Sequence, residues 1–199
     1  MPSEILILFA HPAPQRSRVN RALSRAATEL PGVTFHDLYA AYPDFMIDVA
    51  YEQKLLRAHD VIVLQHPLYW YSAPAILKEW QDLVLQHGFA YGAEGNALAG
   101  KSLMSAITTG GSEDSYDGAG MNRFALDELL RPFEQTARLC GMDWMPPFVV
   151  HSTHIIEDAA IAASAAAYRD RIGALRDGRV TSAALRPNGR DNRASEQGA

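Results

Sequence analysis

The sequence predicts a single α/β domain in which five parallel strands form a doubly wound sheet of order 2-1-3-4-5. Three observations lead to this prediction. Short apolar runs alternate along the chain with longer segments of helical periodicity. The central runs are apolar at nearly every position, as expected of strands that helices cover on both faces. The 199 residues are 48% hydrophobic, which suffices for one substantial core.

The five predicted strands are short and separated by turn signals. The first is a continuous apolar run, and the third is apolar up to its last residue. Their ranges are Ile5 to Ala10, Val33 to Leu38, Val61 to Gln65, Ser102 to Thr108 and Trp144 to Val149.

Helical periodicity predicts a helix between each pair of strands and one after the last strand. Pro31-Gly32 ends the first helix, Pro74 is tolerated in the first turn of the third, and Pro132 must break or restart the fourth. The predicted ranges are Asn20 to Leu30, Ala50 to Ala58, Pro74 to Gln86, Phe124 to Cys140 and Glu157 to Arg176.

The folded domain is expected to span residues 1–177, followed by a polar tail over residues 178–199. The tail is rich in Gly, Asn, Arg and Ser and has few large apolar residues. Such a composition buries too little surface to offset the entropy of ordering. We expect a tail that is mobile or loosely packed on a neighbour.

Composition excludes several classes of function. The net charge of -5 argues against nucleic acid as a partner. Cys140 is the only cysteine, which rules out an intrachain disulfide and a multi-cysteine metal site, and we expect a buried, inert thiol. We expect no metal at His66, His87, His151 and His154, because their spacing supplies no ligand set. The apolar run at the N-terminus is too short for a membrane span, so a cytoplasmic location is predicted.

Three predicted strand ends carry residues suited to a ligand, and parallel strands end at one edge of a sheet. The first is followed by His11 and a loop that reaches Asn20. The free N–H groups of the next helix, the Ser17 hydroxyl, the Asn20 amide and the charge of Arg16 and Arg18 fit a phosphate. An ordinary capped helix with surface arginines explains this loop equally well.

The other two strand ends suit a planar ring. Leu68, Tyr69, Trp70 and Tyr71 follow the third strand, and Thr108-Thr109-Gly110-Gly111 end the fourth. Aromatic residues stack on planar ligands, although they also serve as core packing, and glycine lets a ligand approach the backbone. Together with the phosphate loop, these segments predict bound FMN, with its ring between an aromatic wall and a glycine floor.

Several spaced segments resemble the flavodoxin-like NAD(P)H:quinone oxidoreductase family. The likeness is strongest to its bacterial branch, which includes the ancillary proteins of the glutathione-gated potassium efflux system. It extends from about Ile5 to Arg176. The segments that carry it are His11-Pro12, Ser17 to Asn20, Tyr42 to Phe45, Gln65 to Pro67, Trp70 to Ser72, His87 to Gly92 and Thr108 to Gly111.

The resemblance implies FMN as cofactor and assigns residues to it. Phosphate contacts fall on His11, Ser17, Arg18, Val19 and Asn20, and ring contacts on Leu68, Tyr69, Trp70, Tyr71, Thr108, Thr109, Gly110 and Gly111. The N–H groups of Gly110 and Gly111 would stabilise negative charge on the ring. Tyr116 stands where animal members carry a tyrosine near the flavin, but the histidine that follows it there is absent here, where Asn122 and its neighbours stand.

The resemblance implies a two-electron, ping-pong reduction of quinones by NADH or NADPH in a homodimer. The apolar segment from Tyr42 to Asp48 is a candidate for the interface, or else a loop packed on its own sheet. A second implied function is regulatory, as an ancillary subunit that activates a potassium efflux transporter and reaches the inner membrane through it. A third reading, an electron-carrier flavodoxin, fits less well because the phosphate loop carries arginines.

Overall fold

Five parallel strands form one sheet with the order β2-β1-β3-β4-β5, as predicted. The computed structural model describes residues 2–179. The strands are β1 (Ile5–Phe9), β2 (Val33–Asp37), β3 (Val61–Pro67), β4 (Ser102–Thr108) and β5 (Asp143–Val150). Because β1 lies between β2 and β3, the chain reverses its winding direction next to β1, and this places a crevice at the carboxyl ends of β1 and β3.

Helices cover both faces of the sheet. They are α1 (Arg18–Thr28), α2 (Leu38–Ala41), α3 (Val49–Ala58), α4 (Ala75–Val84), α5 (Leu126–Leu129), α6 (Arg131–Leu139) and α7 (Asp158–Arg176). Two single 3-10 turns, Pro14–Arg16 and Glu113–Tyr116, stand in the loops after β1 and β4.

The alternation of side chains along each strand divides the core into two layers. Leu6 and Leu8 of β1 pack with the buried faces of α3, α4 and α6. Ile5 and Ile7 point the other way and pack with α1 and α7. Both faces of β1 and β3 are therefore buried, which explains why these two strands are apolar at almost every position.

Several element boundaries differ from the predicted ones for local reasons. The first helix begins at Arg18 rather than Asn20, because Ser17 caps it and its Oγ accepts the Asn20 N–H. The third strand continues through Pro67 instead of ending at Gln65. Leu38 lies in α2, a one-turn helix that was not predicted, because Asp37 ends β2 by capping the N–H groups of Tyr39 and Ala40.

Proline accounts for a divided helix and for an irregularity in the sheet. The predicted helix from Phe124 to Cys140 is divided into α5 and α6, and Pro132 stands in the first turn of α6, where no N–H is needed. The pairing of β4 with β5 shifts between Met104 and Ala106, opposite Pro146-Pro147. A proline pair is tolerated there because β5 is an edge strand.

Three further features concern Cys140, the length of the helices and the tail. Cys140 is buried, and burial raises the pKa of its thiol. Among the helices of residues 2–179, none is long and apolar enough to cross a bilayer. The predicted tail over residues 178–199 falls outside the described part of the chain except for Gly178 and Arg179.

Candidate functional site

A cavity of about 600 Å³ opens at the carboxyl edge of the sheet, where β1, β3 and β4 end. Most residues predicted to form a site line it, namely His11, Ser17, Arg18, Val19, Leu68, Tyr69, Trp70, Tyr71, Thr108, Gly110, Gly111 and Tyr116. It is also lined by Ala13, Arg16, Pro67, Met121, Asn122, Thr153 and His154. Its volume lies within the range of about 300–1,000 Å³ typical of small-molecule sites.

One end of the cavity is a set of hydrogen-bond donors at the start of α1. Ser17 Oγ accepts from the Asn20 N–H at 3.2 Å and from the Asn20 side-chain amide at 3.1 Å. Since both lone pairs of this hydroxyl are engaged, its proton is free to be donated. Within residues 2–179, the N–H groups of Arg18 and Val19 have no protein acceptor, as expected in the first turn of a helix. The positive end of the α1 dipole adds to this donor set.

Two predicted phosphate contacts take a different position from the one expected. Asn20 is buried behind the cavity, and its amide donates to Thr108 Oγ1 at 2.9 Å as well as to Ser17. The guanidinium of Arg18 turns towards α7 and pairs with Asp158. Asn20 therefore links the start of α1 to the end of β4. Arg18 faces the cavity through its backbone, and Arg16 supplies a nearby cation.

The donor set at the start of α1 is called the donor cradle below. His11 is a neutral hydrogen-bond donor at its edge. Its Nδ1 accepts the Ala13 N–H at 3.1 Å, so the ring proton resides on Nε2. Burial lowers the pKa of His11, while the charge of Asp37 partly opposes that shift. The edge of the ring meets Tyr69.

The aromatic segment forms a tight turn that projects from the sheet instead of packing in the core. Reciprocal backbone hydrogen bonds between Tyr69 and Ser72 close it. Trp70 and Tyr71 occupy its two central positions at φ of 49° and 64°. Such turns favour Asn-Gly, and bulky residues there cost about 1–3 kcal/mol each. Trp70 is nevertheless 93% exposed, so core packing does not account for it.

The glycine segment forms a close-fitting side of the cavity. A Cβ on Gly110 would lie 2.7 Å from Nε2 of His154, and one on Gly111 would lie 3.1 Å from the Tyr116 ring. Within the described residues, neither glycine N–H has a protein acceptor. Side chains at these two positions would crowd His154 and Tyr116, and the glycine backbone leaves two N–H donors available.

The segment from His151 to His154, which follows β5, holds the glycine segment from behind. The Ser152 N–H donates to Gly111 O, and both the N–H and the hydroxyl of Thr153 donate to Thr109 O. Thr109 is itself buried behind the cavity. Ser152 adopts a φ of 58°, a left-handed conformation that this set of hydrogen bonds maintains.

Tyr116 and Asn122 border the cavity beside the aromatic turn. The Tyr71 hydroxyl donates to Asn122 Oδ1 at 3.1 Å, which links the two loops. Burial and the nearby Tyr71 raise the pKa of Tyr116, and a hydrogen bond with the Asn122 side chain opposes this rise. Asn122 thus accepts from the Tyr71 phenol and lies near Tyr116, in the stretch where animal-type relatives are expected to have a histidine.

Two histidines that contribute to the site were not predicted to do so. His154 lies over Gly110 at the cavity wall, and His151 contacts Thr109. Both follow β5, whose end lies beside that of β4 in the predicted strand order, so this order was the available signal. Across residues 2–179, no cluster of three or more His, Cys, Asp or Glu side chains is arranged to hold a metal. The His87 to Gly92 segment does not line the cavity.

Comparisons with known proteins agree with this architecture. A family model described as having a flavodoxin-like fold matches residues 3–172. The glutathione-regulated potassium-efflux system ancillary protein KefG of Pectobacterium atrosepticum is 54% identical over 167 residues, which cover 84% of this chain and 91% of that protein.

Two solved structures are similar along nearly their whole length. General stress protein 14 of Treponema denticola, crystallised with FMN, is 40% identical, with a TM-score of 0.82 over 86% of this chain and 99% of that one. An NADPH-quinone reductase from P. pentosaceus is 36% identical, with a TM-score of 0.78 over 85% and 97% of the two chains. The chain belongs to the family with the flavodoxin-like fold.

Proposed function

We propose that this protein binds FMN and catalyses the two-electron reduction of quinones by NADH or NADPH. The observation that carries the proposal is the donor cradle at the start of α1. The Ser17 hydroxyl proton and the N–H groups of Arg18 and Val19 have no acceptor among the described residues, and they line one end of the cavity. A dianionic phosphate fits such a donor set because every group in it donates and the helix dipole favours negative charge.

The rest of the cavity fits the flavin ring system. Gly110 and Gly111 present backbone without a side chain at the cavity wall, so a flat group can lie close to them. Their N–H groups suit the ring edge on which negative charge develops when the flavin is reduced. Trp70 and Tyr71 also line the cavity and offer aromatic faces to a planar ring. The FMN complex of the Treponema denticola relative supports the same cofactor here.

Bound FMN would accept two electrons and a proton from the nicotinamide and transfer them to the quinone, so that NAD(P)H, quinone and one proton give NAD(P)⁺ and hydroquinone. The chain itself would bind the flavin, orient it and its substrates, and exclude water from the site. The cradle fixes the phosphate end, and the glycine segment stabilises charge at the ring. Tyr116, whose phenol stays protonated because burial raises its pKa, is placed to donate to a quinone oxygen.

The proposal includes a homodimer in the cytoplasm. The proposal includes both NADH and NADPH as hydride donors, because no pair of basic residues can be assigned to the 2′-phosphate that distinguishes NADPH from NADH. The aromatic turn at the cavity mouth supports a second subunit as its cover, since Trp70 is almost fully exposed.

The test is the visible spectrum of the purified chain, followed by anaerobic reduction and reoxidation. We expect a yellow protein, or a colourless one that FMN turns yellow, with flavin absorbance that bleaches on addition of NADH or NADPH and returns on addition of a quinone. Replacing Ser17 with Ala is expected to weaken FMN binding, because it removes a phosphate donor. A chain that cannot be loaded with FMN would contradict the proposal.

A second function is supported by the 54% identity to an ancillary protein of a glutathione-regulated potassium-efflux system. We propose that the chain also binds and activates such a transporter, and that this partner brings it to the inner membrane. Potassium efflux from cells that carry the transporter should rise when the chain is co-expressed. Unchanged efflux, together with no co-purification of the transporter, would leave the oxidoreductase as the only proposed function.

A further inference from the structure

The hydroxyl of Thr109 determines which nitrogen of His151 carries its proton. Thr109 Oγ1 donates to Gly111 O at 2.9 Å and lies 3.0 Å from His151 Nδ1. A hydroxyl has one proton, and here the carbonyl takes it. His151 Nδ1 must therefore be the donor in the second contact, because two facing lone pairs would repel. This fixes the Nδ1–H form of the neutral ring and leaves Nε2 unprotonated.

Neighbouring hydrogen bonds hold the two ends of the glycine segment and orient the Gly110 N–H. The carbonyl of Thr109 accepts two donors from Thr153, and that of Gly111 accepts the Ser152 N–H and the Thr109 hydroxyl. In a planar trans peptide the N–H points opposite to the C=O. The Gly110 N–H, which shares a peptide with Thr109 C=O, is thus directed away from Thr153, and it has no acceptor among residues 2–179.

We propose that His151 is a positioning residue for the flavin site, where its Nδ1–H holds the Thr109 hydroxyl, which bridges to the Gly111 carbonyl and so restrains the two glycine peptides that lie between them. This inference rests on the proposed function. His151 is not among the residues that line the cavity, so it acts through Thr109 and not by touching the ligand.

The surroundings of His151 are consistent with a neutral ring at pH 7. Burial lowers its pKa, and the charge of Glu113 opposes that shift only in part. The Tyr116 ring covers it with centroids 5.9 Å apart. The imidazolium also carries a proton on Nδ1, so the hydrogen bond to Thr109 survives protonation, and FMN affinity is expected to show no step at the pKa of His151.

The first test reads the tautomer directly in flavin-free protein. Long-range ¹H–¹⁵N spectra of the imidazoles at pH 7.5, assigned with a His151→Asn variant, are expected to show a protonated Nδ1 and an unprotonated Nε2 for His151. A protonated Nε2 would overturn the proposal. This measurement requires no bound flavin, so it decides the inference even where the chain fails to bind FMN and the proposed function falls.

The second test measures FMN dissociation constants by quenching of flavin fluorescence. His151→Leu is expected to weaken binding about five- to tenfold, the size of one lost hydrogen bond. His151→Asn places an amide N–H near the position of Nδ1 and is expected to stay within about twofold of the wild-type value.

A double-mutant cycle separates this role from a general effect on folding. Thr109→Val is expected to weaken FMN binding about as much as His151→Leu, and the double variant no more than either, because both substitutions break one chain of hydrogen bonds. Urea unfolding of each variant without flavin records any loss of stability. Wild-type affinity in His151→Leu, or additive losses in the double variant, would overturn the proposal.

Discussion

Gly110 lies where any side chain would meet His154. The Cβ of an alanine would stand 2.7 Å from its Nε2 and 2.9 Å from its Cδ2. His154 is exposed, so its ring can swing aside at little cost to the fold. The constraint on this glycine therefore concerns the shape of the cavity more than the stability of the protein.

We expect Gly110→Ala to weaken FMN binding about tenfold, because the methyl group and the displaced imidazole enter the cavity. The free energy of unfolding without flavin should change by less than about 1 kcal/mol. Gly173→Ala is the matched control, since nothing lies within 4 Å of its added Cβ. It should stabilise α7 by up to about 1 kcal/mol and leave FMN affinity unchanged. Equal affinities in the two variants would contradict this reading.

His66 is a fully buried histidine with a half-satisfied ring. Its Nδ1 donates to Pro67 O at 2.9 Å, its Nε2 has no partner among the described residues, and Phe133 stacks on it. Burial lowers the pKa of His66 to about 4. In the unfolded chain the pKa returns to about 6.5, so the unfolded state binds a proton first as the pH falls.

The stability of the protein should therefore decline as the pH falls from about 6.5 to about 4. His66 alone accounts for about 3 kcal/mol over that interval. The His66→Phe variant keeps the apolar packing against Phe133 and should lose this part of the pH dependence. Urea unfolding at pH 7 and pH 5 checks the difference, because the other histidines titrate alike in both proteins. Equal pH dependence in both would show that His66 does not titrate as proposed.

At the scale of elements, one buried carboxylate joins four segments. Glu52 of α3 is fully buried. Its Oε1 accepts from the Tyr42 hydroxyl at 2.6 Å and from His36 Nε2 at 2.7 Å, and its Oε2 accepts from Trp80 Nε1 at 2.8 Å. Burial and the adjacent Glu52 raise the pKa of Tyr42. These hydrogen bonds connect α3 to β2, to α4 and to the loop that follows α2. The cluster lies on the face of the sheet opposite α1.

We expect Glu52→Leu to destabilise the protein by about 3–5 kcal/mol, because three buried donors lose their acceptor. Glu52→Gln keeps one carbonyl oxygen but turns an amide N–H towards a donor, so a loss of about 1–3 kcal/mol is expected. Glu79→Gln on the exposed face of α4 serves as control, with a change within about 0.5 kcal/mol. Chemical unfolding at pH 7 measures all three. A Glu52→Leu variant as stable as the wild type would show that the cluster is dispensable.

At the scale of the whole molecule, the mouth of the cavity is unusually apolar. Trp70 and Met121 line the cavity, and their side chains are 93% and 85% exposed. Soluble monomers seldom leave such side chains together at the surface, and a covering subunit would remove them from water. The predicted interface segment, Tyr42 to Asp48, is only partly exposed. Tyr42 is buried within its own subunit, whereas Met46 is 78% exposed.

We expect light scattering coupled to gel filtration to give the mass of two chains. Trp70→Glu should shift the protein towards one chain, because it would bury a charge in the contact. Leu139→Glu provides the control, since Leu139 is also exposed but lies on α6, away from the cavity. A wild-type mass of one chain would reject the dimer, and an unshifted Trp70→Glu variant would reject this mouth as its interface.

The sequence by itself determined the fold and the strand ends that carry the site. Continuous apolar runs such as Ile5 to Ala10 are typical of strands covered on both faces, so local patterning sufficed to predict the strands, and their order followed the usual topology of five such strands. The ends of the helices and strands were harder to predict from the sequence. The one-turn helix α2 exists because Asp37 caps it, and so short a segment shows no periodicity. The site residues assigned through the resemblance mostly line one cavity, although their binding roles remain predictions.

Only the tertiary structure decided which groups face that cavity. Asn20 carries a suitable amide in a suitable place in the sequence, yet it donates to Thr108, 88 positions away, and lies behind the cavity. His151, dismissed as a metal ligand, contacts Thr109 because β5 lies beside β4. The physical reason is that a hydrogen-bonding group is directional and is satisfied by whatever the fold brings near it, whereas hydrophobic patterning is non-directional and can be recognised along the chain.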